Sequence, residues 1–216
     1  MTKFINLHTH TFSNLSDVME VVNQYPWEFD ASIPSYSIGI HPWYIDENRL
    51  ETDLETIKQK LQLDECLALG ECGLDKRIEI PLELQISVFK QQLELVKETQ
   101  KPIVLHCVAA YDEVIAIKKE MKMENPMIIH GFSKNEKVAQ SLLKNGFYLS
   151  FGKYLLRNPD LEKVFTFAPE NQILLETDTI EESIYQVYEK AALIKGISVD
   201  ELKRIVFTNF SRIFNN

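Results

Sequence analysis

His8-Thr9-His10 sets two imidazoles two residues apart, at the end of the apolar run KFINLH. Alternate side chains of an extended strand share a face, so both rings would point the same way. That is the arrangement two ligands of one metal ion need. The chain has five histidines, His8, His10, His41, His106 and His130, and each stands at or just past the C-terminal end of a strand-like run. Glu71 follows CLALG, and Asp178 follows ILLET, in the same way. Singly, each residue has an ordinary explanation. An HxH pair is common, a histidine before Pro42 suits a loop, and a carboxylate at a strand end often caps the next helix. Together they leave no histidine on a helix face or in the tail, and a metal centre accounts for that. Imidazole and carboxylate donors without cysteine suit a hydrolytic Zn, Mn, Fe or Mg site rather than structural zinc. Four histidines and two carboxylates exceed what one ion with open positions would use, so two divalent ions (Zn, Mg or Mn) sharing a carboxylate fit better. Such a pair activates water and stabilises both oxygens of an in-line displacement.

The elements that must position these groups alternate along the chain. Strand-like runs cover 3–8, 18–24, 35–40, 66–71, 103–107, 127–130, 147–151 and 173–177. Helical periodicity marks the stretches between: Leu50, Leu54, Ile57 and Leu61; Ile86, Phe89, Leu93 and Val96; Ile184, Val187, Ala191 and Ile194. Ser198-Val199-Asp200-Glu201 reads as the capping-box start of a last helix carrying Leu202, Ile205 and Val206. Strand and helix in alternation imply parallel pairing with right-handed crossovers. Eight strands in one α/β domain over residues 1–216 suggest a (β/α)8 TIM-type barrel. It would be compact beside the usual ~250 residues, and irregular around strands 2–3, where no full helix fits. In such a barrel every strand's C-terminal end opens onto the functional face.

Composition bounds the function further. Lys plus Arg is 23 against 32 for Asp plus Glu, a net charge of −9. That argues against a general electropositive nucleic-acid footprint, though bound divalent cations invert the local field of a site. Cys66, Cys72 and Cys107 are odd in number and fit no disulfide or zinc-knuckle spacing. No signal peptide or membrane-length apolar run is read, and free thiols without an export signal suggest a cytoplasmic protein.

In chain order the motifs are N-L-H-T-H (6–10), G-I-H-P-W (39–43), G-E-C-G-L-D (70–75), L-H-C (105–107), H-G-F-S (130–133), L-L-E-T-D (174–178) and T-N-F-S-R-I-F (208–214). The series resembles the TatD family of metal-dependent hydrolases, within the amidohydrolase-like barrels, over the whole chain. The resemblance implies a binuclear divalent site and phosphodiester or DNA hydrolysis, as in a deoxyribonuclease or exonuclease. By position, it implies His8, His10 and Asp178 on one metal, His106 and His130 on the other, and Glu71 between them. Asp178, with Glu71, would be catalytic, Asp178 also accepting a proton from the attacking water. His41 and Asp75 would orient ligands or substrate.

This chain departs from the family pattern in three places. Asn6 stands where the family usually has Asp. His106-Cys107-Val108 replaces an H-x-R whose arginine suits phosphate. Thr179-Ile180-Glu181-Glu182 replaces an S-P and a longer loop with an R-G-x-x-N segment. Two anion-binding features are therefore missing, and two glutamates stand in their place. Lys76, Arg77 and Lys153 are the replacement cations for substrate, and Trp43, Tyr44 and Tyr154 could stack on a base. The substrate would be a small phosphoester or a single-stranded DNA end, with no membrane and no protein partner inferable. Two rival readings remain. The opening H-T-H-T-F-S also resembles the polymerase-and-histidinol-phosphatase (PHP) phosphoesterases, which would bind three metals. A metal-binding barrel without turnover is the alternative from another class.

Overall fold

The structure is a computed structural model and describes residues 2–214. The elements in chain order are β1 (Phe4–Thr9), β2 (Val18–Gln24), β3 (Tyr36–Ile38), α1 (Leu50–Lys60), β4 (Cys66–Asp75), α2 (Leu82–Val96), β5 (Ile103–Val108) and α3 (Tyr111–Glu120). They continue with β6 (Met127–Ile129), α4 (Glu136–Lys144), β7 (Phe147–Phe151), α5 (Lys153–Arg157), α6 (Asp160–Phe167), β8 (Ile173–Leu175), α7 (Ile184–Lys195) and α8 (Val199–Phe214). The strands are ordered β1 to β8 as in the chain, the order of the expected α/β class, a (β/α)8 barrel. No helix follows β1, and only a 3₁₀ turn at Pro26–Glu28 lies between β2 and β3. The irregularity expected around strands 2–3 thus begins one connection earlier.

The described residues form two compact units, one made of residues 2–22 and 128–214, the other of Asn23–Met127. In the first unit, β1 pairs with β2 in parallel and β7 with β8. A parallel bridge between Thr9 and Asp178 joins the β1 and β8 segments. Ile5, Leu7, Leu149, Ile173 and Leu175 are fully buried in its core. Tyr188 of α7 reaches that core and clamps Ile5. Its hydroxyl accepts from Ile5 N at 3.1 Å and donates to Ile5 O at 3.2 Å. The complete capping box lies at the start of α7, where Ser183 accepts from Gln186 N and Gln186 Oε1 accepts from Ser183 N at 2.9 Å. At α8, where the spacing predicts a capping box, Ser198 Oγ accepts from Glu201 N at 3.2 Å.

In the second unit β3, β4 and β5 pair in parallel. Successive residues Ile103, Val104 and Leu105 are all fully buried, the mark of a strand covered on both faces. α2 covers β4 with Val88, Phe89 and Leu93, each at most 1% exposed, and a side chain buried so completely adds about 1.5–3 kcal/mol. β4 does not stop at Glu71, as its apolar run suggests, but continues to Asp75. Gly73 allows this. It has φ +139°, and a Cβ there would be driven into the carbonyl oxygen of His106 on β5. No helix among the described residues is long and apolar enough to cross a membrane.

Candidate metal centre

In the first unit, backbone hydrogen bonds set the ligand candidates. Asp178 N donates to His8 O at 2.9 Å, and His10 N donates to Asp178 O at 3.2 Å. The two chain segments are strapped in both directions, so the side chains of His8, His10 and Asp178 meet. Asp178 Oδ1 lies 3.8 Å from His8 Nε2 and 3.5 Å from His10 Nε2. Two atoms each ~2.1 Å from a zinc ion at the tetrahedral angle stand about 3.4 Å apart, so the trio fits a divalent ion. His8 is fully buried, while the side chains of His10 and Asp178 keep about a quarter of their surface, 26% and 25%. Solvent can therefore reach the carboxylate that would take a proton.

Asn6, where the family pattern has Asp, forms a closed pair with Thr177. Its Oδ1 accepts from Thr177 N at 2.9 Å and its Nδ2 donates to Thr177 Oγ1 at 2.9 Å. An ionised aspartate can only accept. The amide therefore holds the segment leading to Asp178 in a way the acid would not.

His130 packs its ring 4.4 Å from that of His8. Its Nδ1 lies 3.5 Å from Oε1 of Glu176. Glu176 was not singled out in the sequence, yet it is fully buried and its Oε1 accepts from Gly131 N at 2.6 Å. Burial raises its pKa, but the hydrogen bond from His130 and the charges of His130 and His8 outweigh that and lower it overall. The carboxylate is thus placed to hold one nitrogen of His130 and turn the other toward a ligand. The spacing rule that links His8 to His10 also links Glu176 to Asp178, and that was the signal available.

In the second unit Glu71 is the centre. Its Oε1 lies 3.1 Å from His41 Nε2 and 3.0 Å from His106 Nδ1. The two histidines differ in what they can do. His41 Nδ1 accepts a hydrogen bond from Trp43 N at 3.1 Å. That nitrogen is therefore bare, the neutral ring carries its proton on Nε2, and His41 donates to Glu71. Ligating a cation through Nε2 would require the other tautomer, which would set two N–H groups against each other. His41 thus holds the carboxylate, and with Glu71 and His106 it forms a group whose donor atoms lie within 4.8 Å of one another. His106 faces a carboxylate on each side: Nδ1 lies 3.0 Å from Glu71 Oε1 and Nε2 3.3 Å from Asp75 Oδ2. Burial alone would raise the pKa of Asp75. Hydrogen bonds from the Trp43 indole, Arg77 N and His106, with the His106 charge, lower it instead.

Buried amides from outside the motifs fix these groups. Asn23 Oδ1 accepts from Glu71 N at 2.7 Å. Gln85 of α2 accepts from Asp75 N at 2.8 Å and donates to Asp75 O at 3.0 Å. Two turns further along the same helix face, Gln92 accepts from Ile40 N at 2.7 Å and donates to Ile40 O at 3.1 Å. Gln85 and Gln92 interrupt the apolar stripe of α2, and a buried amide in such a stripe is a sign of a backbone clamp.

The expected substrate cations are placed as follows. Lys76 Nζ bonds the carboxylate of Glu113 on α3, and Lys153 opens α5 with its Nζ 5.9 Å from the ring centre of Tyr154. In each unit, histidine and carboxylate donors lie within 4.8 Å of one another.

Parallel strands in chain order, with histidine–carboxylate groups at their C-terminal ends, define a metal-dependent hydrolase of the (β/α)8 class. The family model described as TatD related DNase matches residues 1–215, and the chain belongs to the TatD family of metal-dependent hydrolases. It is 31% identical to the uncharacterized metal-dependent hydrolase YabD of Bacillus subtilis, over 93% of this chain and 82% of that one. It is 32% identical to the 3′-5′ ssDNA/RNA exonuclease TatD of Erwinia billingiae, over 65% of this chain and 55% of the relative. Among solved structures, the TatD homolog YJJV of Escherichia coli superposes with a TM-score of 0.84 at 21% identity, covering 100% of this chain and 99% of that one. The shared fold is the barrel that the strand order describes.

Proposed function

We propose that this hydrolase cleaves phosphodiester bonds at a single-stranded nucleic-acid end, using two divalent ions. The observation that carries the reading is the two donor groups: His8, His10 and Asp178 in the first unit, and His41, Glu71 and His106 in the second. The exonuclease name of the Erwinia relative supports the substrate class. His130, held by Glu176, is the remaining imidazole donor. A bound divalent ion would polarise a phosphoryl oxygen and lower the pKa of water. The chain's own residues do the rest. Asp178, strapped between the two segments and partly open to solvent, accepts the proton released by the attacking water. Glu176 orients His130, Glu71 and Asp75 grip His106 from its two sides, and His41 holds Glu71 in place. These contacts leave the site organised before substrate arrives.

One observation favours a second reading, a small phosphoester. A cavity of about 430 Å³ adjoins the first unit's trio along the chain, lined by Thr9, Thr11, Glu20, Thr177, Thr179 and Glu181 among others. Its described lining contains no lysine or arginine, so it would not attract a polyanion.

The test is hydrolysis of an end-labelled single-stranded oligonucleotide with Mg²⁺, Mn²⁺ or Zn²⁺, beside Asp178→Asn. Metal-dependent shortening by the wild type, reduced at least ~100-fold in the variant, is the expected result. Cleavage of a small phosphoester alone would favour the second reading. No turnover of either substrate with any metal would overturn both.

A further inference from the structure

The second unit carries an aromatic surface that the metal chemistry does not use. Trp43 is 53% exposed and Tyr44 is 44% exposed. The Trp43 ring stands 5.2 Å from that of His41 and 5.9 Å from that of His106. An exposed indole is normally mobile, but this one is fixed. Its Nε1 donates to Asp75 Oδ2 at 2.8 Å, and Asp75 is itself clamped by Gln85 and by Arg77 N at 2.8 Å. The neighbouring rings are equally set. Tyr25 stacks on Trp27 at 4.9 Å and 10°, and Tyr44 meets both edge-on. Arg49 lies 3.8 Å over the Trp27 ring, bonds Asp53 at 2.8 Å and donates to Tyr44 O at 2.7 Å. Arg49 therefore braces the aromatic group and is not available as a phosphate-binding cation.

Resting on the phosphodiesterase reading, we infer that Trp43 is a stacking platform for the nucleobase of the terminal nucleotide. The chemistry points to a planar aromatic ligand. An indole held edge-on to two site imidazoles, with its remaining face in solvent, offers a π-surface and no charge. A base is joined to the scissile phosphate through one sugar, so a base on Trp43 and a phosphate beside His106 belong to one nucleotide. Stacking is tolerant of base identity. It also supplies the holding power that the absent H-x-R arginine would otherwise give, and because the ring is already fixed, little ordering cost is incurred on binding.

Two measurements test this. The chain has two tryptophans, so in Trp27→Phe the emission reports Trp43 alone. Adenosine 5′-monophosphate should quench it saturably, and ribose 5-phosphate, which has no base, should not. Equal quenching by both, or by neither, overturns the inference whatever the enzyme turns over. The second compares an oligonucleotide with one whose nucleotides at both ends are abasic. The wild type should prefer the base-bearing ends by about tenfold or more in kcat/KM, chiefly through KM. Trp43→Ala should erase that preference, and Trp43→Phe, which keeps a ring but loses the bond to Asp75, should retain most of it. A wild type indifferent to the base, or Trp43→Ala with its preference intact, overturns the platform. Failure to cut either oligonucleotide with any metal overturns the phosphodiesterase reading instead, and the fluorescence result then stands on its own.

Discussion

Glu176 places its Oε1 3.5 Å from Nδ1 of His130 while the same oxygen accepts from Gly131 N at 2.6 Å. A carboxylate with no solvent access thus serves a backbone amide and an imidazole at once. Its charge is sustained by the histidines around it, so its worth should appear when a cation is bound. Glu176→Gln keeps the shape and an acceptor for Gly131 but removes the charge. The expected result is a 10–100-fold weaker metal affinity with an unchanged circular dichroism spectrum, measured by calorimetric titration with Mn²⁺ or Zn²⁺. An affinity equal to that of the wild type would show that Glu176 serves only the backbone.

Metal removal should lower thermal stability. A ligand held only by the folded state at a hundred times its Kd adds about 2.7 kcal/mol. For a chain of this size each kcal/mol moves Tm by roughly 2–4 °C. A melting curve with saturating Zn²⁺ should therefore lie about 5–10 °C above one in EDTA. His8→Ala, which removes a donor from the first trio, should lose a large part of that rise. An undiminished rise would place the ion elsewhere.

Two glycines should respond differently to the same added methyl group. Gly73 has φ +139° and no room against His106 O; Gly131 has φ +55°, and the nearest atom to an added Cβ is 3.8 Å away. Gly131→Ala should cost about 1–2 kcal/mol, the price of a left-handed conformation. Gly73→Ala adds a collision with backbone and should cost more than about 3 kcal/mol. Urea midpoints of the two variants decide the matter, and equal midpoints would contradict the packing described for β4 and β5.

Alkaline pH should weaken the fold through buried thiols and phenols. Burial pushes the Cys66 thiol up to about 11, against a smaller downward pull from Lys101. The unfolded thiol ionises near 8.5. Below that pH both states hold the proton and stability is unaffected. Between 8.5 and 11 the unfolded state releases its proton first, so stability falls as pH rises, by up to about 1.4 kcal/mol per unit for this group. Burial raises Cys72, Tyr36 and Tyr188 in the same direction. Urea midpoints at pH 8 and pH 10 should therefore diverge in the wild type, and Cys66→Ala should narrow the gap. A gap unchanged in that variant would remove Cys66 from the account.

Much of the fold was legible because strands buried on both faces read as unbroken apolar runs. All eight expected runs overlap observed strands, and the amphipathic steps at 50–61, 86–96 and 184–194 lie within or at the ends of α1, α2 and α7. The misses have physical causes. β4 runs four residues past its apolar stretch because Gly73 lets it approach β5, a gain in pairing that hydrophobicity does not register. α5 spans only five residues, too short for a periodicity to emerge. In the site, the metal candidates were recognisable from residue type and strand position. Glu176 is not legible because it shares its motif with Asp178, and nothing in the sequence separates a ligand from the carboxylate that orients one. The amides Asn23, Gln85 and Gln92 are not legible because they bond backbone groups, and a backbone contact leaves no spacing pattern in the sequence.

Gln85 and Gln92 stand seven residues apart on α2, about 10.5 Å along the helix axis, and each grips the chain at the end of a different strand, at Asp75, the last residue of β4, and at Ile40, two residues past β3. The helix therefore works as a gauge block for two successive loops. One inserted residue between the two amides would swing the second about 100° around the axis and release Ile40, two residues ahead of Pro42 and the Trp43 platform. Loops of this chain can change length without disturbing that distance. The stretch from 85 to 92 cannot, and its length is as much a part of the site's specification as any histidine.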